Sequence, residues 1–321
     1  MPSVRARVAR ASFGAVVRGM RQFRERDTGP VTAESPAEAF EEGALKVREV
    51  LELLTSADVL PNGIDIDRAD TPVPSWWFTG PRGDDDRFAL YLHGGAYVAG
   101  SHATHRGLAA AFARNAGVRV LLPEYRLAPE HRFPAAVDDA VAAYRWLLEQ
   151  DRVDPARTAL VGDSAGGGLA VAVALAARDQ GLPLPAGIAC MSPWVDLTAS
   201  GASVFGNDHH DIWLDGGLIR PAGRMYAPDD PGHPYASPLF GDLTGLPPML
   251  VHVGTHEVLL DDARRLVHRA RAHGVDASLG EFEGMWHVFQ AIPGVPEGRR
   301  SLRELGAFVR RVTTEPSRVA A

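Results

Sequence analysis

The chain has 321 residues, 45% of them hydrophobic, and a formal net charge of −7. The length suits one large α/β domain or two small ones, and the apolar content suffices for a substantial core. The acidic balance argues against a polyanion-binding chain, so nucleic acid is not an expected partner.

Lysine is nearly absent and arginine carries the positive charge, a compositional bias without a functional reading. The single cysteine, Cys190, stands in the apolar run 186–191. No intramolecular disulfide can form, and a buried, unreactive strand residue is expected.

No run approaches the roughly 18 apolar residues of a membrane-spanning helix. Residues 1–26 carry seven arginines but no continuous apolar stretch before a cleavage site, so no secretory signal is read there. They suit an amphipathic helix with Val8, Phe13, Val16, Val17, Met20 and Phe23 toward one side. Packing on its own domain is expected over contact with a membrane surface. A cytoplasmic protein is the default expectation.

Residues 1–60 read as helical. Ser35-Pro36-Ala37-Glu38 resembles a helix start, with proline in the first turn and an acid behind it. Apolar residues then recur at helical spacing over 38–55, until Pro61-Asn62-Gly63 breaks the pattern. Short strands are predicted over 64–68 and 73–78. The charged run 81–86 reads as a solvated hairpin tip. Strands are then predicted over 88–92, 118–122, 159–161, 186–191, 249–253 and 277–282. Helices are predicted over 135–149, from 165 through 177, over 261–273 and over 299–312. Apolar strands separated by amphipathic helices imply a mostly parallel sheet covered on both faces. Residues 199–235, rich in Gly, Asp, His and Pro, break that rhythm. They suit a cap insertion over the strand ends, forming with residues 1–60 a small helical second layer. The remainder, 61–321, is the expected catalytic domain.

The chemistry centres on Gly162-Asp163-Ser164-Ala165-Gly166, which fits G-x-S-x-G between a strand and a helix. Such a turn strains the serine backbone and projects its Oγ above the sheet edge. The helix start supplies free N–H groups and partial positive charge beside it. An idle glycine-rich turn is the competing reading, and the strand–helix context argues against it.

A serine nucleophile needs a base, an acid to orient the base, and an oxyanion hole. His93-Gly94-Gly95-Ala96 follows a strand, and its glycines let backbone N–H groups turn toward a developing alkoxide. Gly94, Gly95 and Ala165 are the candidate donors. Among 12 histidines, His287 follows the last predicted strand, in the chain order Ser, acid, His. The other histidines, His93 and His252 among them, read as surface, capping or core-edge residues. Glu257, Asp261 and Asp262 are the acid candidates. The two aspartates also suit the first turn of a helix.

His93-Gly-Gly-Ala96, Tyr125-Arg-Leu-Ala-Pro-Glu130, Gly162-Asp-Ser-Ala-Gly-Gly167, Ser192-Pro-Trp194 and Gly284-Met-Trp-His287 together resemble the hormone-sensitive-lipase-like esterases, the bacterial group IV α/β-hydrolases. The resemblance spans about residues 60–312. It implies an eight-stranded sheet with a helical cap, hydrolysis of short-to-medium carboxylic esters, and no cofactor or metal. Two departures stand out. The third glycine of the family's oxyanion loop is Ala96. The family's Asp-Pro-Leu-x-Asp string reads Glu257-Val-Leu-Leu-Asp261, which puts Glu257 in the place of the acid.

Tyr97, Val98, Trp213, Trp286 and Val288 are candidate pocket residues, with plain core packing as the alternative. Asp163 reads as a hydrogen-bonding neighbour of the site, and Arg126 and Glu130 as a buried polar network beneath it. Amide or lactone hydrolysis remains open, because only the leaving group differs. A silent small-molecule receptor on the same scaffold is disfavoured by the presence of His287 and an acid. A surface-bound lipase is disfavoured by the polar insertion. A homodimer is compatible with the fold class.

Overall fold

Successive side chains of a strand point to opposite faces, so a strand apolar at every position needs cover on both sides. The computed structural model describes residues 2–10, 41–46, 48–49, 52, 60–81 and 84–314. Its strands are β1 (Asp65–Ala69), β2 (Ser75–Thr79), β3 (Asp84–Leu92), β4 (Val118–Pro123), β5 (Thr158–Asp163), β6 (Gly187–Met191), β7 (Met249–Gly254) and β8 (Ala277–Phe282). Its main helices are α1 (His102–Ala116), α2 (Ala135–Leu148), α3 (Ala165–Asp179), α4 (Ser203–Gly206), α5 (Gly216–Tyr226), α6 (Leu260–Ala272) and α7 (Pro296–Thr314).

The strands form one sheet in the order β1-β2-β4-β3-β5-β6-β7-β8. β1 and β2 pair antiparallel, as do β2 and β4, and every later pair is parallel. The side chains divide as the pleat demands. Leu90, Leu92, Leu160, Ile188 and Cys190 join one core with residues of α2, α3 and α6. Ala89, Tyr91, Ala159, Val161, Ala189 and Met191 join the other with residues of α1 and α7. Cys190 is buried and free, and burial pushes its thiol up to about 12.

Two features depart from the sequence-based expectations. The run 81–86 is not a hairpin tip. β4 lies between β2 and β3, so the run opens a crossover; residues 82–83 lie outside the described part. Helix α1 had no counterpart among the predicted elements. Its buried side is mostly alanine, a weak periodic signal, but its ends are well specified. Ser101 and Thr104 form a reciprocal capping box, and Gly117 closes the helix at φ 64°.

Residues 4–10 are helical and lie on their own domain. Ala6 is buried, while Val8, expected on the apolar side, is 59% exposed. Ser3 donates from its N–H and hydroxyl to Glu297 at 2.6 and 2.9 Å, pinning the segment to the start of α7. The rest of the predicted 1–26 helix lies outside the described residues. Of the helix predicted over 38–55, residues 41–46, 48–49 and 52 are described and helical. Among the described residues no helix is long and apolar enough to cross a membrane.

The start of α3 must pass very close to the ends of β3 and β5, and glycine makes this passage available. A Cβ on Gly166 would collide with the carbonyl oxygens of Leu92 and His93, and one on Gly168 with that of Trp194. The obstacles are backbone atoms, which cannot swing aside. Gly166→Ala is therefore expected to destabilise the protein by about 1–3 kcal/mol, the usual range for overpacking. Chemical denaturation checks this, and an unchanged midpoint would contradict the packing described.

Candidate active site

β5 ends at Asp163 and α3 begins at Ala165, leaving Ser164 alone at the junction. Its backbone is held at φ 53°, ψ −124°, a region costly for a residue with a Cβ. The surroundings hold it there. Its N–H donates to the Met191 carbonyl at 2.9 Å, and its own carbonyl accepts from Trp194, Gly167 and Gly168 N–H groups. The side chain thus projects beyond the strand ends, where the loops after β7 and β8 meet it.

The loop after β8 carries His287 and the loop after β7 carries Glu257. His287 Nε2 lies 2.9 Å from Ser164 Oγ, and Nδ1 lies 3.1 Å from Glu257 Oε2. These residues are 123 and 30 positions apart in the chain. Glu257 Oε1 accepts from Gly254 N–H at 2.5 Å and from the Ser192 hydroxyl at 2.7 Å. The Ser192 oxygen in turn accepts from Val288 N–H at 3.0 Å. One hydroxyl therefore ties the acid to the backbone just past the histidine. Both Ser192 (φ 50°) and Val288 (φ 45°) sit in the left-handed region to make this contact.

Electrostatics follow from burial. Glu257 is wholly enclosed, and desolvation raises its carboxyl above the ordinary value although His287 and Gly254 favour the charged form. Desolvation would lower the His287 imidazole, but the hydrogen bond and charge of Glu257, with the charges of Asp211 and Asp163, raise it instead. The pair favours an imidazolium at this place.

The His93–Ala96 loop lies against the serine. A Cβ on Gly94 would stand 3.0 Å from Ser164 Cβ and would collide with an Asp163 carboxylate oxygen. Gly95 has φ 120°, where a side chain is strained. As the first residue of α3, Ala165 has no intrahelical acceptor for its N–H. Ala96, the departure from three glycines, is accommodated at φ 55°.

Other expected residues fall into place or away from it. Asp163 is buried, accepts from the Tyr91 hydroxyl at 2.7 Å and lies 3.5 Å from His105, consistent with a neighbour of the site. Asp261 accepts from Ser203 N–H, and Asp262 from Val195 and Asp196 N–H groups. Burial pushes the Asp262 carboxyl up to about 8. His287 Nδ1 donates to Glu257, the residue expected to serve as acid, and makes no such bond to either aspartate. Val98 and Val288 are each 8% exposed, and Trp213 is partly exposed.

Several expectations need correction. Tyr97 and Trp286 show no exposed surface, so neither lines an open pocket. Tyr97 stacks on Tyr226 at 3.9 Å, and Trp286 packs with Ala6, Ile212, Phe282 and Met285. Arg126 and Glu130 are not a buried network. Each is about half exposed, Arg126 paired with Asp139 and Glu130 with Arg48. His93 and His252 are not surface or edge residues but buried. His93 stacks on Tyr125, its carbonyl accepts from the Tyr125 hydroxyl at 2.6 Å, and desolvation lowers its imidazole to about 3.

Ser192 and Asp211 belong to the site but were not singled out from sequence. Ser192 was visible only as part of Ser192-Pro-Trp194, and Asp211 only as one acid in a polar insertion. Ser192→Ala would leave Glu257 with one donor fewer on a buried oxygen. A hydrogen bond to a charged group is worth ~1.5–3 kcal/mol, so we expect kcat to fall by about tenfold to a hundredfold with little change in KM. Steady-state kinetics on a soluble ester reads this directly.

Residues 89–291 match the α/β-hydrolase fold family. The chain is 52% identical over 237 residues to an acetyl-hydrolase of Streptomyces hygroscopicus, covering 73% of this chain and 79% of the relative. It is 38% identical over 222 residues to an esterase of Acinetobacter venetianus, covering 68% and 73%. A crystal structure of an esterase from the bacterial hormone-sensitive lipase family superposes with a TM-score of 0.83 at 43% identity, covering 94% of this chain and 98% of the other. Fold, sequence and site geometry agree, and the chain belongs to the hormone-sensitive-lipase-like family of α/β-hydrolases as a carboxylesterase.

Proposed function

We infer that this carboxylesterase cleaves short-to-medium acyl esters through Ser164, His287 and Glu257, by way of an acyl-enzyme. The observation that carries the reading is the unbroken hydrogen-bond chain from Ser164 Oγ through His287 to the buried Glu257. Ser164 Oγ bonds to the ester carbonyl carbon while its proton passes to His287 Nε2. The carbonyl electron pair moves onto oxygen, where the N–H groups of Gly94, Gly95 and Ala165 receive it. Collapse expels the alcohol, which takes the proton from His287. Water then repeats the sequence on the acyl-enzyme, releasing the carboxylic acid and restoring Ser164. Glu257 keeps the proton of the neutral imidazole on Nδ1 and stabilises the imidazolium.

The acyl range rests on relatives. One is called an acetyl-hydrolase, and another structure, 39% identical, is of EstE5 soaked with p-nitrophenyl butyrate. We also infer that residues 1–60 and the insertion at about 199–235 form the cap. In support, Arg48 donates to the Val98 and Ala128 carbonyls, both at 2.8 Å, beside the oxyanion loop.

A series of p-nitrophenyl esters from acetyl to dodecanoyl, with Ser164→Ala as control, tests the reading. Turnover is expected on the shorter chains and a loss of about 10⁶ in kcat with alanine. Turnover retained by Ser164→Ala would remove the nucleophile. Glu257→Gln should cost about 10⁴ in kcat, as for the loss of other triad carboxylates, and Asp261→Asn far less; the reverse order would displace Glu257.

The reaction needs neutral His287, so kcat/KM falls as pH drops through the histidine's titration. Because that titration is raised, the acid limb should lie above the ordinary histidine value of 6.5. It should move to lower pH in Glu257→Gln, where the charge that holds it up is gone. A limb that stays in place in this variant would contradict the pairing.

A further inference from the structure

Asp211 lies in the insertion between β6 and β7 and has about 5% of its surface exposed. A carboxylate this deep needs a reason. Its Oδ1 accepts from Trp213 N–H at 3.0 Å and Leu214 N–H at 3.4 Å. Its Oδ2 accepts from Val258 N–H at 3.1 Å. Val258 follows Glu257 directly. Three backbone N–H groups meet its oxygens, yet burial still raises its carboxyl above the ordinary value.

The same insertion grips the Glu257 loop at further points. The Asn207 side chain donates to the Glu257 carbonyl at 2.8 Å and to the Thr255 carbonyl at 3.2 Å. The Ser203 hydroxyl donates to the Val258 carbonyl at 2.8 Å. So the insertion binds both backbone groups of Val258 and the carbonyl of Glu257.

We propose that Asp211 is a positioning residue for ester hydrolysis, holding the Glu257 loop through Val258. This rests on the Ser164–His287–Glu257 reading. The groups acting on His287 are Glu257 from the loop after β7, Asp163 from the end of β5, and Asp211 from the insertion. Those acting around Asp211 are His287, Glu257 and His256, the last hydrogen-bonded at 2.7 Å to Arg10 of the N-terminal helical residues. The insertion does more than cover the site: it holds the backbone of the loop that carries Glu257.

Asp211→Asn keeps the size of the side chain but puts an amide donor against a backbone N–H, breaking one of its holds. A slackened loop holds Glu257 less well against His287, so the acid limb of kcat/KM should move to lower pH. At saturating substrate kcat should fall by about tenfold, with KM within about twofold, because the interaction serves the transition state. Asn207→Ala, at a half-buried position, keeps the charge and removes two loop contacts. It should lower kcat and move the limb the same way, and it keeps the positioning claim testable if Asp211→Asn does not fold.

An Asp211→Asn enzyme with the wild-type limb, or an Asn207→Ala enzyme with full kcat, overturns the proposal. A Ser164→Ala enzyme that still turns over overturns the reading beneath it instead, so the two failures are separable.

Discussion

Everything at the site depends on one buried carboxylate. Glu257 has no solvent contact, and an ion so placed costs several kcal/mol unless its oxygens are satisfied. Three donors meet that requirement: the Gly254 N–H, the Ser192 hydroxyl and His287 Nδ1. Each comes from a different part of the chain. The carboxylate can therefore be charged only when β6, β7 and the loop after β8 are in register. Its desolvation, which raises its own titration, is also what makes its pull on the imidazole strong, because little water screens it.

The second constraint is steric. Ser164 keeps a strained backbone because its neighbours leave it no alternative: its N–H and carbonyl are fixed by the loop after β6 and the first turn of α3. The glycines on either side let α3 approach the ends of β3 and β5 until backbone nearly touches backbone. The same closeness sets the His93–Ala96 loop against the serine. His93 secures that loop from below, stacked on Tyr125 and wholly buried. Strain, close packing and the N–H groups beside Ser164 are consequences of a single arrangement.

Much of the fold was legible because its signals are local. Apolar runs marked the central strands, and periodic stretches marked α2, α6 and α7 to within a few residues. Helix α1 was not read, since alanine contributes little to an apolar pattern and the evidence lay in its caps. The run 81–86 misled for a related reason. A charged turn between two strands looks the same whether the strands pair with each other or, as here, are parted by a third. The aromatic residues near the motifs were ambiguous as well. Tyr97 and Trp286 follow or precede reactive residues in sequence, yet stacking on Tyr226 and packing around Ala6 take them out of reach of solvent.

The sequence by itself marked the candidate residues of the site: a serine on a strand-to-helix turn, a glycine loop behind a strand, and a histidine past the last strand. Each needs particular residue types at one place, so each leaves a local trace. The family's string also put Glu257 in the place of the acid; the tertiary structure supplied the contact with His287, which depends on distances between side chains dozens of residues apart. It placed Glu257 within 3.1 Å of the imidazole and gave Asp261 and Asp262 to backbone N–H groups. It also brought in Ser192 and Asp211, whose importance lies in what they touch. A hydroxyl between an acid and a histidine loop, or a carboxylate under a neighbouring amide, has no signature in the order of residues, since contact across the fold alone gives it meaning.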